Sequence, residues 1–272
     1  MRAAGRWRKR PKPRAQQLSQ GAGHDGRPIQ TGDLATMARV LVLQNMTFDG
    51  PAYLGRWLHE HGHEADVRNA EAGDAWPASL DGCQALVLLG GAMSANDDLP
   101  WLRQSEQLFR EALRRGVPTL GHCLGGQLMS RALGASVHRS PAPELGFHDL
   151  QFDAAAQAWF GPRRSERVMH WHYEAFDVPS GVGAHRVATS AACPVQAWSL
   201  GPHLAMQFHI EVDVAKVLGW CEEDDGQPRT EAALAGTEHD TSRIRADLPV
   251  LIGGHQSLAA GLYERWMAMI DR

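Results

Sequence analysis

The chain has 272 residues, with 27 Lys and Arg against 31 Asp and Glu and a formal net charge of −4. That is enough chain for one large α/β domain, and an acidic surface argues against nucleic acid as the main partner. No apolar stretch is long enough to span a bilayer, so neither nucleic acid nor a membrane is expected as a partner. The four cysteines (Cys83, Cys123, Cys193, Cys221) form no CxxC pair and no metal-finger spacing, which fits free thiols in a reducing cytoplasm.

Residues 1–36 carry eight Arg and Lys against Asp25 and Asp33, a net of +6, which leaves −10 for the remainder. Pro11 and Pro13 interrupt any amphipathic helix there, and an apolar signal core is lacking. The segment reads as a disordered basic leader that cannot build a core. The biological start is then expected at Met37, with residues 37–272 as one domain.

From Met37 the pattern alternates strand and helix. Val40–Leu43 is a continuous apolar run, as a strand covered on both faces requires. Pro51–Glu60 reads as a helix with proline at an early position, and Ala65–Val67 as a short strand. Ala85–Leu89 is a buried strand that runs into Gly90-Gly91, and Trp101–Arg115 is an amphipathic helix ending at Gly116. The short run Val117–Leu120 follows, then Gly121-His122-Cys123-Leu124-Gly125-Gly126-Gln127, then a helical pattern to Leu133. This rhythm predicts a doubly wound, mainly parallel sheet with helices on both faces. After about residue 135, short stretches at Leu145–Phe152, Arg167–Trp171, Val195–Trp198 and His203–Phe208 read as antiparallel additions and returning strands. Asp213–Trp220 predicts a helix, and acidic residues 222–229 a loop. Two helices are expected to close the chain, one around Thr230–Ala235 or Ser242–Arg245 and one over Leu251–Ile270.

The turn at Cys123 carries the chemistry. A cysteine between a strand and a helix, flanked by glycines, sits on a sterically difficult elbow. The helix start offers free N–H groups and a positive dipole end, which favour a thiolate and can hold an oxyanion. A thiol nucleophile needs a base, and the base an orienting group. His209-Ile210-Glu211 supplies both where an apolar strand ends, and residues i and i+2 of a strand face the same side. An α/β-hydrolase would place its acid before its histidine, whereas here Glu211 follows His209.

Taken together, the elbow at Gly121–Gln127, the Gly90-Gly91 pair after a strand and Gln207-Phe208-His209-Ile210-Glu211 resemble the class I (triad) glutamine amidotransferases. The stand-alone proteins similar to the glutaminase portion of GMP synthase are the nearest in pattern. The resemblance covers roughly residues 38–221 and implies a flavodoxin-like fold. It also implies that Cys123 attacks the side-chain amide of glutamine, that His209 shuttles the proton and that Glu211 orients His209. The oxyanion would rest on the backbone N–H groups of Gly91 and Leu124. Gly90, Gln127, His172 and Glu174 would line the substrate site. In Met169-His170-Trp171-His172-Tyr173-Glu174, however, Glu and Tyr replace the family's usual Asp and small residue, which leaves the substrate amine contact open. Glu144-Leu145-Gly146 resembles a family turn near the glutamine pocket.

His170, His172 and His209 could in principle gather around zinc. The triad already accounts for His209, so neither metal nor cofactor is expected. The resemblance implies glutamine or another γ-glutamyl amide as substrate; since no Gly-rich phosphate loop follows a strand, ammonia would pass to an acceptor on a separate synthase subunit or be released to water. A γ-glutamyl hydrolase acting on another amine would use the same triad. A non-catalytic amino-acid-binding or partner-binding module is the alternative outside enzymes.

Overall fold

A computed structural model describes residues 37–226 and 241–270. The leader and the helix expected around Thr230–Ala235 lie outside the described residues. Among the described residues, nine strands form one sheet in the order β2-β1-β3-β4-β9-β8-β7-β5-β6. They are β1 Arg39–Gln44, β2 Glu64–Asn69, β3 Ala85–Leu88, β4 Thr119–His122, β5 Val137–Phe152, β6 Ser165–Phe176, β7 His185–Thr189, β8 Ala197–Leu200 and β9 His203–Met206. The helices are α1 Ala52–Glu60, α2 Pro100–Arg115, α3 Leu124–Ala132, the single turn α4 Gln157–Phe160, α5 Val214–Asp225 and α6 Thr241–Met267.

Strands β2, β1, β3, β4 and β9 run parallel, and β8, β7, β5 and β6 extend them antiparallel. The parallel part is the doubly wound half the sequence predicts. Its central strands are buried along their length because helices cover both faces. One core packs α1 and α6 on one face around Leu54, Leu58, Val87, Leu262 and Trp266; the other packs α2 and α3 around Leu86, Phe109, Leu128 and Trp198. The strand order reverses direction between β1 and β3. In an open parallel sheet, ligands bind beyond the carboxyl ends of the strands near such a point. The ends of β1, β3, β4 and β9 deliver Asp49, Gly90, Cys123 and His209 to that edge.

Several elements differ from the sequence expectation. Residues 222–225 are helical, not loop: α5 runs to Asp225, whose carboxylate accepts from Thr241 (2.7 Å) and pairs with Arg245 (2.6 Å), so α6 neutralises the acidic end. The segments at Ser242–Arg245 and Leu251–Ile270 are not separate helices: one helix covers Thr241–Met267 and passes through Pro249. Proline costs a helix interior a hydrogen bond, but Ile244 and Leu248 pack on one side of it and Leu258, Leu262 and Trp266 on the other. β5 begins at Val137 rather than Leu145, crossing its two prolines by a register shift between Arg139 and Glu144. β9 ends at Met206, three residues before the histidine. β7 and the short helical stretch from Ala154 to Phe160 add to the elements the sequence predicts. No described helix is long and apolar enough to cross a membrane.

Candidate active site

The elbow has the geometry its glycines imply. Cys123 joins β4 to α3 with φ 49° and ψ −110°, a left-handed conformation that a side chain rarely adopts. Its N–H donates to the Met206 carbonyl at 2.8 Å, so neighbouring β9 fixes the turn. Close approach explains the flanking glycines. A Cβ at Gly125 would run into the Leu88 carbonyl, and one at Gly126 would meet Met206 O at 2.7 Å. The first N–H groups of α3, from Leu124 onward, precede the first intrahelical bond, which runs from the Gln127 N–H to Cys123 O (3.0 Å). The Gly90-Gly91 turn lies against this elbow: a Cβ at Gly91 would meet Leu124 Cδ2 at 3.1 Å, and one at Gly90 would meet Cys123 Cβ at 3.7 Å. Asn45 holds the turn by donating Nδ2 to the carbonyls of Leu89 (3.1 Å) and Gly90 (3.0 Å).

His209 reaches the same point from the other side. Its backbone N–H donates to Met169 O (2.8 Å), forming an isolated antiparallel bridge to β6. Nδ1 bonds Glu211 Oε1 at 2.8 Å, which leaves Nε2 for the Cys123 thiol it faces. The Trp220 ring packs edge-on at 4.7 Å. His209 and Glu211 are 2% and 0% exposed. Burial alone would lower the His209 pKa, but the Glu211 charge and the bonds to Cys123 and Glu211 outweigh it and raise it to about 10. The site therefore favours an imidazolium, the partner a thiolate needs. Burial opposes the Glu211 charge too, yet Lys216, His209 and His122 hold its pKa well below the usual carboxylate range.

Glu211 is the hub of a buried charge cluster. Its Oε1 also accepts from Lys216 Nζ (2.9 Å), and its Oε2 lies 3.1 Å from His122 Nδ1, close enough for attraction but poorly angled for a hydrogen bond. Lys216 in turn pairs with Asp49 (2.7 Å) and donates to Gly50 O (2.9 Å). Neither Lys216 nor Asp49 carries a site signal in the sequence. A lysine on a helix start, five residues after the acid, looks like an exposed charge.

The expected substrate-binding residues divide into two groups. Gly90 lies against Cys123 Cβ and the His209 ring. Gln127 and His172 are buried beneath the site. Gln127 Nε2 donates to Gln207 Oε1 (3.2 Å) and Glu174 O (3.4 Å), and Gln207 Nε2 lies 3.5 Å from Cys123 Sγ. His172 Nδ1 also bonds Glu174 O (3.1 Å). Both side chains thus fix the backbone of Glu174. The Glu174 carboxylate is half-buried and accepts from Ser94 Oγ (2.9 and 3.0 Å), which ties β6 to the loop after Gly90-Gly91.

Glu144, the acid of the family-like turn, supports His172 from the opposite strand. Its Oε2 accepts from Gln196 (2.5 Å) and Ser190 (2.9 Å) and lies 3.3 Å from His172 Nε2. The ligand-capable atoms of Glu144, His170 and His172 fall within 4.8 Å of one another. The Glu144 oxygen facing His172 is already shared among these donors. Burial, followed by the fields of the surrounding histidines, lowers the His170 pKa well below its ordinary value.

A cysteine on a strained strand–helix turn, an ion-paired histidine and a buried acid in that chain order, at the carboxyl edge of a doubly wound sheet, define a candidate thiol-nucleophile hydrolase of α/β class. The chain belongs to the glutamine amidotransferase class-I family, whose model matches residues 54–216. Among its relatives, the glutamine amidotransferase-like protein YfeJ of Salmonella typhimurium is 30% identical over 193 residues, covering 66% of this chain and 79% of that protein. The GMP synthase (glutamine-hydrolyzing) of Aeropyrum pernix is 31% identical over 160 residues, but the chain spans only 30% of its length. A GMP synthase (glutamine-hydrolyzing) subunit of Thermoplasma acidophilum is 28% identical, with 58% of this chain and 80% of that one aligned. A crystal structure of a glutamine amidotransferase from Methylobacillus flagellatus superposes with a TM-score of 0.78 at 32% identity, covering 87% of this chain and 97% of that one.

Proposed function

We propose that residues 37–272, as one domain, hydrolyse a γ-glutamyl amide, with glutamine giving glutamate and ammonia, through a thioester on Cys123. The observation that carries this reading is the dyad: Cys123 on its positive-φ elbow, facing a His209 whose Nδ1 is held by Glu211 at 2.8 Å. The Cys123 thiolate attacks the amide carbon. Charge develops on the carbonyl oxygen, and the N–H groups of Gly91 and Leu124 stabilise it. Collapse breaks the C–N bond, and the His209 imidazolium gives its proton to the departing nitrogen. Water, deprotonated by His209, then attacks the thioester and releases glutamate and the thiolate.

Glu174 would take the substrate's ammonium group, with Gln127 and His172 holding its backbone. The relatives' names support glutamine as substrate, and the one named as a subunit supports a separate synthase as acceptor of the ammonia, in the cytoplasm. A second reading rests on the bulky, 40% exposed Tyr173 beside Glu174: the site would then cleave the γ-glutamyl amide of a larger amine by the same steps. The test is a panel of glutamine and γ-glutamyl amines, scored by glutamate release. Glutamine turnover that Cys123→Ala abolishes supports the first reading, and turnover of γ-glutamyl amines alone supports the second. Turnover of neither sinks both.

A further inference from the structure

Among the described residues, a cluster of buried charge lies next to the dyad. Lys216 on α5, Asp49 after β1 and Glu211 after β9 are all at most 7% exposed, and they meet within ion-pair distance. Taking such charges out of water is costly, and an ion pair of this kind is poor support for stability, because apolar replacements often do as well. Its position gives it a use. One carboxylate oxygen, Glu211 Oε1, accepts from both Lys216 Nζ (2.9 Å) and His209 Nδ1 (2.8 Å). The carboxylate therefore cannot rotate away from the imidazole without giving up the ammonium. Asp49 occupies the other side of the ammonium, and Gly50 O takes a further proton. The α5 N-cap, where Asp213 accepts from the Lys216 N–H at 2.9 Å, fixes the lysine's backbone. The cluster of Glu211, Asp49 and Lys216 carries one net negative charge, matched by one imidazolium at His209. The other titratable groups facing Glu211 are His122 from β4 and His255 and Tyr263 from α6.

We propose that Lys216, balanced by Asp49, is a positioning residue that clamps Glu211 Oε1 against His209 Nδ1 and sets the charge the imidazole sees. For turnover this rests on the hydrolase reading above; for the state of His209 it does not.

The test measures Lys216→Met and Asp49→Asn against the wild-type chain by two readouts. One is kcat and KM for glutamine. The other is nuclear magnetic resonance of the His209 ring with 15N-labelled histidine. In Lys216→Met, kcat should fall at least about tenfold, a loss at the lower end for positioning effects, with KM within about twofold. The downfield His209 Nδ1–H resonance should weaken or vanish. In Asp49→Asn, Lys216 loses its second counter-charge and opposes the imidazolium more strongly, so the His209 titration midpoint should move to lower pH. A Lys216→Met protein that keeps the resonance and its kcat within twofold overturns the proposal. If that variant does not fold, an Asp49→Asn midpoint equal to wild type overturns it instead. Loss of the resonance in a chain that never hydrolyses glutamine leaves the clamp standing and rejects the substrate assignment.

Discussion

Replacing Glu211 by glutamine keeps the shape of the orienting group and removes its charge. The substituted side chain has one carbonyl oxygen to share between His209 and Lys216, and its amide would point a donor toward His122. His209 then keeps the burial that lowers its pKa and loses the carboxylate that raises it. Its midpoint should fall from about 10, with only the Cys123 contact left to oppose burial, and each pH unit of that fall removes about 1.36 kcal/mol of support for the imidazolium. The corresponding amide substitution in a serine-protease triad costs about 10⁴ in kcat, about 5 kcal/mol. We therefore expect Glu211→Gln to lower kcat by about 10³ to 10⁴. The alkaline limb of the rate profile, set by loss of the His209 proton in wild type, should move to lower pH. The assay is ammonia release coupled to glutamate dehydrogenase across the neutral and alkaline range, with thermal melting to establish that the variant is folded. A folded Glu211→Gln enzyme within tenfold of wild type, with an unmoved alkaline limb, would refute the reasoning.

Gly90→Ala would bring a methyl group to 3.0 Å from His209 Cε1 and 3.3 Å from Asp49 Oδ2. Displacing the ring by a few tenths of an ångström should cost kcat roughly tenfold, since about 1 Å costs about a hundredfold; steady-state kinetics with unchanged activity would count against the placement of the dyad. Burial lowers His203 and His255 to about 4, so below pH 6.5 the unfolded chain takes up protons the folded one refuses. Stability should fall as pH drops from 6.5 toward 4, by up to about 3 kcal/mol for each histidine. Urea midpoints at neutral and acid pH should show this, and His203→Gln should flatten the dependence. Burial raises the thiols of Cys83 and Cys221 and pushes Cys193 up to about 11. Iodoacetamide near neutral pH should therefore modify Cys123 first, as read by peptide mass mapping, and equal labelling of Cys193 would contradict the site's electrostatics.

The parallel half of the sheet was legible because its strands are short apolar runs punctuated by Gly and Pro, and its helices carry clear faces. The candidate residues Cys123, His209 and Glu211 were legible for a similar reason: Cys123 directly follows a strand, and His209 and Glu211 follow β9 by three and five residues, each within a local pattern that its proposed chemistry requires. What the sequence hid is long-range. Lys216 and Asp49 lie 167 positions apart in the chain and meet only because β1 and β9 end at the same edge. His172 and Gln127, expected to line the substrate site, both hydrogen-bond the Glu174 carbonyl, a contact between separate elements that no local pattern carries. The antiparallel half was read piecemeal because β5 crosses two prolines with a register shift. The acidic end of α5 looked helix-breaking until Arg245 and Thr241 of α6 supplied its partners.

The central claim is that Cys123 forms a γ-glutamyl thioester. Intact-protein mass spectrometry after rapid acid quenching with glutamine, or after incubation with a glutamine-like diazo-ketone, tests it directly. A single adduct that maps to Cys123 and is absent from Cys123→Ala is the predicted result. An unmodified Cys123 under both reagents, in folded protein, would contradict it.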